Sequence, residues 1–132
     1  MKISATIKNT SQENTISVVT NGKQQSISIP VKATGRGSAV NGGELLFLSL
    51  ATCFCNDIYR EAARSQMEIE NVEVSVTGEF GAEGEPASNI EYEVKIQAEK
   101  YSPEEIAALI KQVDIVAEVH NTLRQGVSVR LK

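Results

Sequence analysis

The segment that decides the fold is Leu45–Cys55, LLFLSLATCFC, in which only Ser49 and Thr52 are polar. Its apolar side chains cover most of the circumference of a helix instead of a single stripe. A membrane-spanning helix needs about 20 apolar residues, and this segment is much shorter, so no membrane association is predicted. It predicts a helix whose first half is buried on nearly every side, inside a core or between two subunits.

The composition fits a single domain over residues 1–132, with 41% hydrophobic residues and no low-complexity tract. The net charge of −4 and the scattered basic residues give no surface for nucleic acid. Cys53 and Cys55 are too close in the chain to join distant parts of a fold, and no apolar leader precedes them. These features predict a cytoplasmic protein with reduced thiols, and nothing in the sequence calls for a cofactor or a metal ion.

Turn and capping signals place the other elements around this helix. Asn41 and Glu44 have capping-box spacing at its start, and its end is predicted near residues 65–67. Asn21-Gly22 predicts a tight hairpin, and Pro103 predicts the first turn of a second helix. The remaining predicted elements are strands over 3–7, 15–19, 25–29, 72–76 and 90–96, a helix over 113–123 and a terminal strand over 127–131.

The resulting order is β-β-β-α-β-β-α-α-β, in which strands and helices occur in separate runs. Such runs are typical of an α+β fold and not of an alternating parallel sheet. Separate sheets on either side of a long buried central helix would explain why that helix is apolar all round.

Two segments carry a resemblance to a known family: GGELLFLSLATCF at residues 42–54 and VHNTLRQGVSV at residues 119–129. With them, most of the chain resembles the osmotically inducible protein C and organic hydroperoxide resistance (OsmC/Ohr) family. The resemblance implies an intertwined homodimer in which two sheets pack around central helices. It also implies thiol peroxidase sites at the subunit interface.

The family's functional residues transfer only in part. The peroxide-attacking cysteine falls on Cys53, but the resolving cysteine would fall on Ala117, which cannot form a disulfide. A family glutamate would fall on Gly43, one position before Glu44, and the activating N-terminal arginine has Arg36 as its first available candidate. The resemblance therefore implies a divergent member that would need an external thiol reductant.

The residues themselves leave both a reactive and an inert Cys53 open. A peroxidatic cysteine must be a thiolate, whereas burial and the carboxylate of Asp57, one turn further along the helix, would raise its pKa. Arg60 is two turns away, about 10 Å along the axis, too far for easy direct contact. Cys55 lies about 200° around the helix from Cys53, so it is interpreted as a small buried hydrophobe and a disulfide would require unwinding.

Two further candidates have a structural alternative beside the catalytic one. His120 is a base or donor near Cys53 if the last helix packs against the long one, or else a hydrogen-bonded structural histidine. Glu44 is either an active-site carboxylate or the capping-box partner of Asn41.

The leading hypothesis is that Cys53 reduces an organic hydroperoxide through a sulfenic acid and is regenerated by an external thiol. The alternative is a non-enzymatic dimer of the same fold that binds a small apolar ligand in the interface pocket. The third hypothesis is a dimer with a purely structural or partner-binding role.

Overall fold

A computed structural model describes all 132 residues, which form two compact units, residues 1–45 and 46–132. The first unit is an antiparallel sheet in the order β1 (Ile3–Asn9), β2 (Asn14–Thr20) and β3 (Lys23–Gln25). The predicted hairpin is confirmed: Asn21 and Gly22 both have positive φ, 49° and 81°, the backbone that a two-residue turn requires. The single domain expected over residues 1–132 stays a prediction.

The third strand spans Lys23–Gln25, so the strand predicted over 25–29 is wrong: the chain leaves the ladder after Gln25. The side-chain amide of Asn14 donates hydrogen bonds to the carbonyls of Ile29, at 3.0 Å, and Pro30, at 3.2 Å. The Ile29 carbonyl is therefore satisfied by a side chain, while the Pro30 carbonyl also accepts the backbone N–H of Ala39 at 2.9 Å.

Helix α1 (Gly42–Arg64) begins and ends close to the predicted positions. The capping box is confirmed, since the Glu44 N–H donates to Asn41 Oδ1 at 2.9 Å and the Asn41 N–H donates to Glu44 Oε2 at 2.7 Å. The expected burial of its first half is wrong for the single chain, where Leu48 is 59% exposed. The buried residues of the helix begin at the third turn and are Leu50, Phe54, Asp57, Ile58, Glu61 and Ala62. No helix in the structure is both long and apolar enough to cross a membrane.

The second unit has its own antiparallel pair, β4 (Asn71–Phe80) and β5 (Ala87–Gln97), which confirms the two strands predicted after the helix. The register shifts at Gly78, between Thr77 and Glu79. A Cβ at Gly78 would lie 2.7 Å from the ring of Phe47 on α1. Glycine therefore allows the sheet to approach the helix closely at this irregularity.

Two shorter helices follow, α2 (Pro103–Val116) and α3 (Glu118–Arg124). The single helix predicted over 113–123 is wrong, because the backbone turns extended at Ala117, with ψ 101°. Ala117 is fully buried, and the side chain of Asn121 donates to the carbonyl of Ile115 at 3.0 Å, which satisfies one free carbonyl at the end of α2. Burial and this side-chain bond stabilise a break that helix propensity alone does not indicate.

The core of the second unit lies where α1, α2, the start of α3 and the β4–β5 sheet meet. Its three largest fully buried side chains are Phe54 and Ile58 from α1 and Val113 from α2. Partly buried side chains of the β4–β5 sheet and of the segment that precedes β4 pack against them: Met67, Ile69, Val72, Val74, Tyr92, Val94 and Ile96. The α+β class is confirmed.

The terminal strand predicted over 127–131 does not form. Val129 and Leu131 are almost fully exposed, and Val127 is more than half exposed. A strand requires hydrogen-bonding partners on a neighbouring strand, and in this chain the segment pairs with no strand.

Candidate functional site

Cys53 lies in the middle of α1, half-buried, and both cysteines are free thiols. Its Sγ is 3.6 Å from Oδ2 of Asp57, one helical turn further along, and 3.9 Å from Oε2 of Glu118 at the start of α3. Cys55 faces elsewhere and lines a shallow hollow with Thr52 and Val74. The thiol of Cys53 therefore sits between two carboxylates from two different helices.

A guanidinium offsets part of the charge of these carboxylates. Arg60 Nη1 is 2.8 Å from Oδ1 of Asp57 and 3.5 Å from Oε1 of Glu118. Its Nε is 3.0 Å from the buried carboxylate of Glu61. Arg60 therefore belongs to the Cys53 cluster through the carboxylates, although no direct bond joins it to the thiol.

Burial and charge act in the same direction on the thiol. Burial raises the pKa of Cys53 above its ordinary value, the charges of Asp57 and Glu118 raise it further, and the backbone N–H of Val119 opposes them. Burial also raises the pKa of the Asp57 carboxyl, as does the charge of Glu118, against the lowering effect of Arg60. The resting site thus favours a protonated thiol beside a carboxylate that is a stronger base than usual.

The thiol and the two carboxylates also have the donor types of a metal site. The ligand atoms of Cys53, Asp57 and Glu118 all lie within 4.8 Å of one another. Arg60 pairs with both carboxylates, and its single positive charge offsets part of their charge. Exposed acidic groups such as Glu118 commonly occur without a metal ion, so this arrangement by itself assigns none.

Of the other predicted site residues, two lie in the first unit. Glu44 is exposed and is engaged in the capping box with Asn41, which accounts for its position without any chemistry. Arg36 is exposed in a small loop closed by a bridge between Val31 and Ser38, and its side chain forms no ion pair. The catalytic roles of Glu44 and Arg36 stay predictions.

His120 is buried on α3, with 5% of its surface exposed, and neither ring nitrogen has a hydrogen-bond partner. Its ring packs edge-on against Phe54, with centroids 5.3 Å apart, and against Tyr92, at 4.8 Å. The last helix thus does pack against the long one, as expected, but no hydrogen bond joins the imidazole to Cys53.

The sequence did not identify Glu118 and Val119 as neighbours of the thiol. One signal was available: both directly follow Ala117, the position of the family's resolving cysteine, which must approach the reactive one. The residues after that position were therefore candidates for contact with Cys53. In this chain the carboxylate of Glu118 and the N–H of Val119 make that contact.

Comparison of the sequence with family models gives a match to "OsmC-like protein" over residues 35–132. No curated protein matches the chain.

Solved structures are similar over nearly the whole length. An OsmC-like protein from Mycoplasma pneumoniae has a TM-score of 0.65 at 21% identity, covering 94% of this chain and 89% of its own. An organic hydroperoxide resistance protein OsmC from Legionella pneumophila, also described as a predicted redox protein and regulator of sulfide bond formation, has 0.65 at 20%, covering 99% and 95%. An OsmC-like protein of unknown function from Vibrio cholerae has 0.61 at 13%, covering 92% and 93%. At these identities the likeness establishes the fold.

Proposed function

Since this chain belongs to the OsmC-like protein family, we propose that it reduces organic hydroperoxides with Cys53 as its only redox-active thiol. The observation that carries this proposal is the contact of 3.6 Å between the half-buried Cys53 Sγ and the buried carboxylate of Asp57. A thiol next to a base of raised pKa is a nucleophile that can be activated at the moment of reaction. The proposal fits a reducing, cytoplasmic setting, in which free thiols persist.

In the first step the Cys53 proton passes to Asp57 while the sulfur attacks the terminal peroxide oxygen. The S–O bond forms as the O–O bond breaks, and the alkoxide leaves as an alcohol after taking the proton from Asp57. The sulfur is oxidised by two electrons to a sulfenic acid, and the peroxide is reduced by two. Arg60, paired with Asp57, keeps that carboxylate in place throughout.

The second step needs an external thiol, since Ala117 stands where the family's resolving cysteine would be. One thiol attacks the sulfenic sulfur, releases water and forms a mixed disulfide with Cys53. A second thiol attacks that disulfide and releases reduced Cys53. Two external thiols are thereby oxidised for each peroxide.

The apolar face of the first unit supports a homodimer. Ile7 is 53% exposed on β1, and Ile3 and Ile27 are exposed with it. The segment 127–131 also presents alternating apolar residues without a strand partner. Exposed apolar surface of this kind is typical of an association site, and a second copy of the chain is the proposed occupant.

A second candidate function is non-enzymatic binding of a small apolar ligand. It is favoured by the two carboxylates that oppose the Cys53 thiolate, and by an apolar hollow of about 270 Å³ in the first unit. The hollow is lined by Ala5, Thr6, Ile7, Ile16, Val18, Ile27, Ile29 and Leu45.

The rate of sulfenic acid formation distinguishes the two functions. The protein is mixed with tert-butyl hydroperoxide or hydrogen peroxide, and dimedone-trapped Cys53 is quantified by mass spectrometry. A peroxidase should react with the alkyl peroxide faster than with hydrogen peroxide and far faster than a free thiol does. Reaction at the free-thiol rate would refute peroxidase activity and leave ligand binding.

Three variants assign the reaction to its residues. Cys53→Ser should abolish trapping and Cys55→Ser should preserve it. Asp57→Asn should slow the reaction at about pH 7 by about 10²-fold or more, the usual contribution of a general base. An Asp57→Asn protein that reacts as fast as the wild type would exclude Asp57 as the base.

A further inference from the structure

His120 is the buried polar side chain whose position has no hydrogen bond to account for it. It is 95% buried and leaves both ring nitrogens without a partner. An unsatisfied polar group in such a place destabilises the fold, so native structures rarely contain one without a reason. The chemistry at Cys53 does not use this imidazole.

His120 lines a cavity of about 130 Å³ within the second unit, to which Cys53 does not contribute. The walls are mainly apolar, formed by Leu50 of α1, Ile90 of β5 and Leu123 of α3. Two polar residues complete them, Tyr92 and Arg124. A cavity of about 150 Å³ with apolar walls is known to hold a benzene-sized molecule, so this one matches a single small ring.

The other polar groups of the wall are already satisfied. The hydroxyl of Tyr92 donates to Asp114, and Arg124 Nη2 lies 2.5 Å from the same carboxylate. Arg124 Nη1 donates to the Asp114 carbonyl at 3.0 Å and to Asn121 Oδ1 at 3.3 Å. The charges of Asp114 and Arg124 compensate each other, and His120 is the one buried side chain of the wall whose polar atoms have no hydrogen-bond partner.

Burial and the charge of Arg124 lower the pKa of His120, against the raising effect of Asp114, which favours the neutral imidazole near pH 7. A neutral imidazole has one N–H donor and one acceptor lone pair. The rings of Tyr92 and Phe54 can accept the N–H only weakly, and neither ring can donate to the lone pair.

We infer that this cavity binds a small neutral molecule with a ring-sized apolar body and one hydroxyl group, which hydrogen-bonds to His120. The apolar body replaces the missing contacts of Leu50, Ile90 and Leu123. The hydroxyl, which both donates and accepts, satisfies a nitrogen of the imidazole. This site goes beyond the proposed peroxidase and does not depend on the reactivity of Cys53.

Phenol is a suitable probe, with toluene as the matched molecule that has the same body and no hydroxyl. His120 is the only histidine of the chain, so its ring signals in long-range ¹H–¹⁵N spectra are unambiguous. The full-length protein at about pH 7, where phenol is neutral, is titrated with phenol to about 20 mM, a range that covers weak small-molecule binding. We expect a saturable shift of one His120 nitrogen, and an affinity for toluene lower by about tenfold, as the loss of one hydrogen bond predicts.

Two variants test the location. Leu123→Trp, on the half-exposed wall, should fill the cavity and abolish the saturable shift, while Cys53→Ser should leave it unchanged. His120→Phe, which has no histidine signal and is followed by its backbone amide shifts, should bind phenol and toluene with equal affinity. A ligand-free amide spectrum with the dispersion of the wild type confirms that each variant is folded. The inference is wrong if wild-type protein gives no saturable shift, if toluene binds as tightly as phenol, or if folded Leu123→Trp still binds. Loss of peroxide reactivity with intact phenol binding would refute the proposed function and leave this site standing.

Discussion

The two units of this chain differ in how they use apolar residues. Residues 1–45 contain isoleucines and valines on strands, yet none of their residues is buried. All buried residues of the chain lie in residues 46–132, around Phe54, Ile58 and Val113. The second unit therefore has a core of its own. The first has strands with alternating apolar residues, but those residues are not buried. Such a unit needs an additional surface to offset the entropy of ordering its strands.

The largest effect should come from the core of the second unit. Phe54→Ala removes a fully buried ring that packs against Tyr92, with centroids 5.0 Å apart, and should lower the free energy of unfolding by about 3–5 kcal/mol. Leu48→Ala, on the exposed part of the same helix, is the control and should cost much less. Urea denaturation at one fixed protein concentration measures both. Equal losses would contradict the distinction between the covered and uncovered halves of α1.

The next effect concerns the first unit and the proposed dimer. Ile7→Lys places a charge on the exposed apolar face of β1 and should convert a dimer, at twice 14.3 kDa, into a monomer. Light scattering at micromolar concentration gives the mass. Lys8→Ile, at the neighbouring position of the strand, is the control for substitution as such. A wild-type monomer, or an Ile7→Lys protein with the mass of the wild-type dimer, would remove the argument that this face is an interface.

A smaller effect should appear in the pH dependence of stability. The folded protein lowers the pKa of His120, so the unfolded chain binds the proton more readily. Stability should therefore fall as the pH drops below about 6.5, the ordinary value, and approach a plateau below the folded pKa. Urea denaturation of wild type and His120→Phe across this window tests the effect. An identical slope in both proteins would show that other groups cause the loss.

The smallest expected effect is electrostatic. Glu118→Gln removes one of the charges that raise the pKa of Cys53, so the midpoint of its alkylation by iodoacetamide should move to lower pH. Glu13→Gln removes the same charge from the first unit and should leave the midpoint unchanged. A Cys55→Ser background confines the alkylation to one thiol. An unchanged midpoint in Glu118→Gln would mean that the charge of Glu118 does not contribute to the pKa of Cys53.

Local signals predicted much of the fold. The spacing of Asn41 and Glu44 located the start of α1, Asn21-Gly22 located a hairpin, and alternation located β4 and β5, because each depends on residues close in the chain. The predictions that were wrong concern segments whose structure depends on residues far away in the sequence. Ala117 breaks a helical pattern because it is buried and Asn121 bonds across the break. The alternating residues 127–131 form no strand because they pair with no strand edge of this chain.

The candidate site likewise has a part that local sequence predicted and a part that only the tertiary structure decided. The sequence by itself determined that Cys53 sits on an apolar helix with Asp57 one turn away, since helical spacing places residues i and i+4 on one face. Only the tertiary structure brought Glu118 and Val119 from α3 to the thiol and left the nitrogens of His120 unpaired beside a cavity. These contacts join residues some 65 positions apart, and no local spacing rule reaches that far. The packing of α3 against α1 decides them, and with them the proton affinity of the thiol.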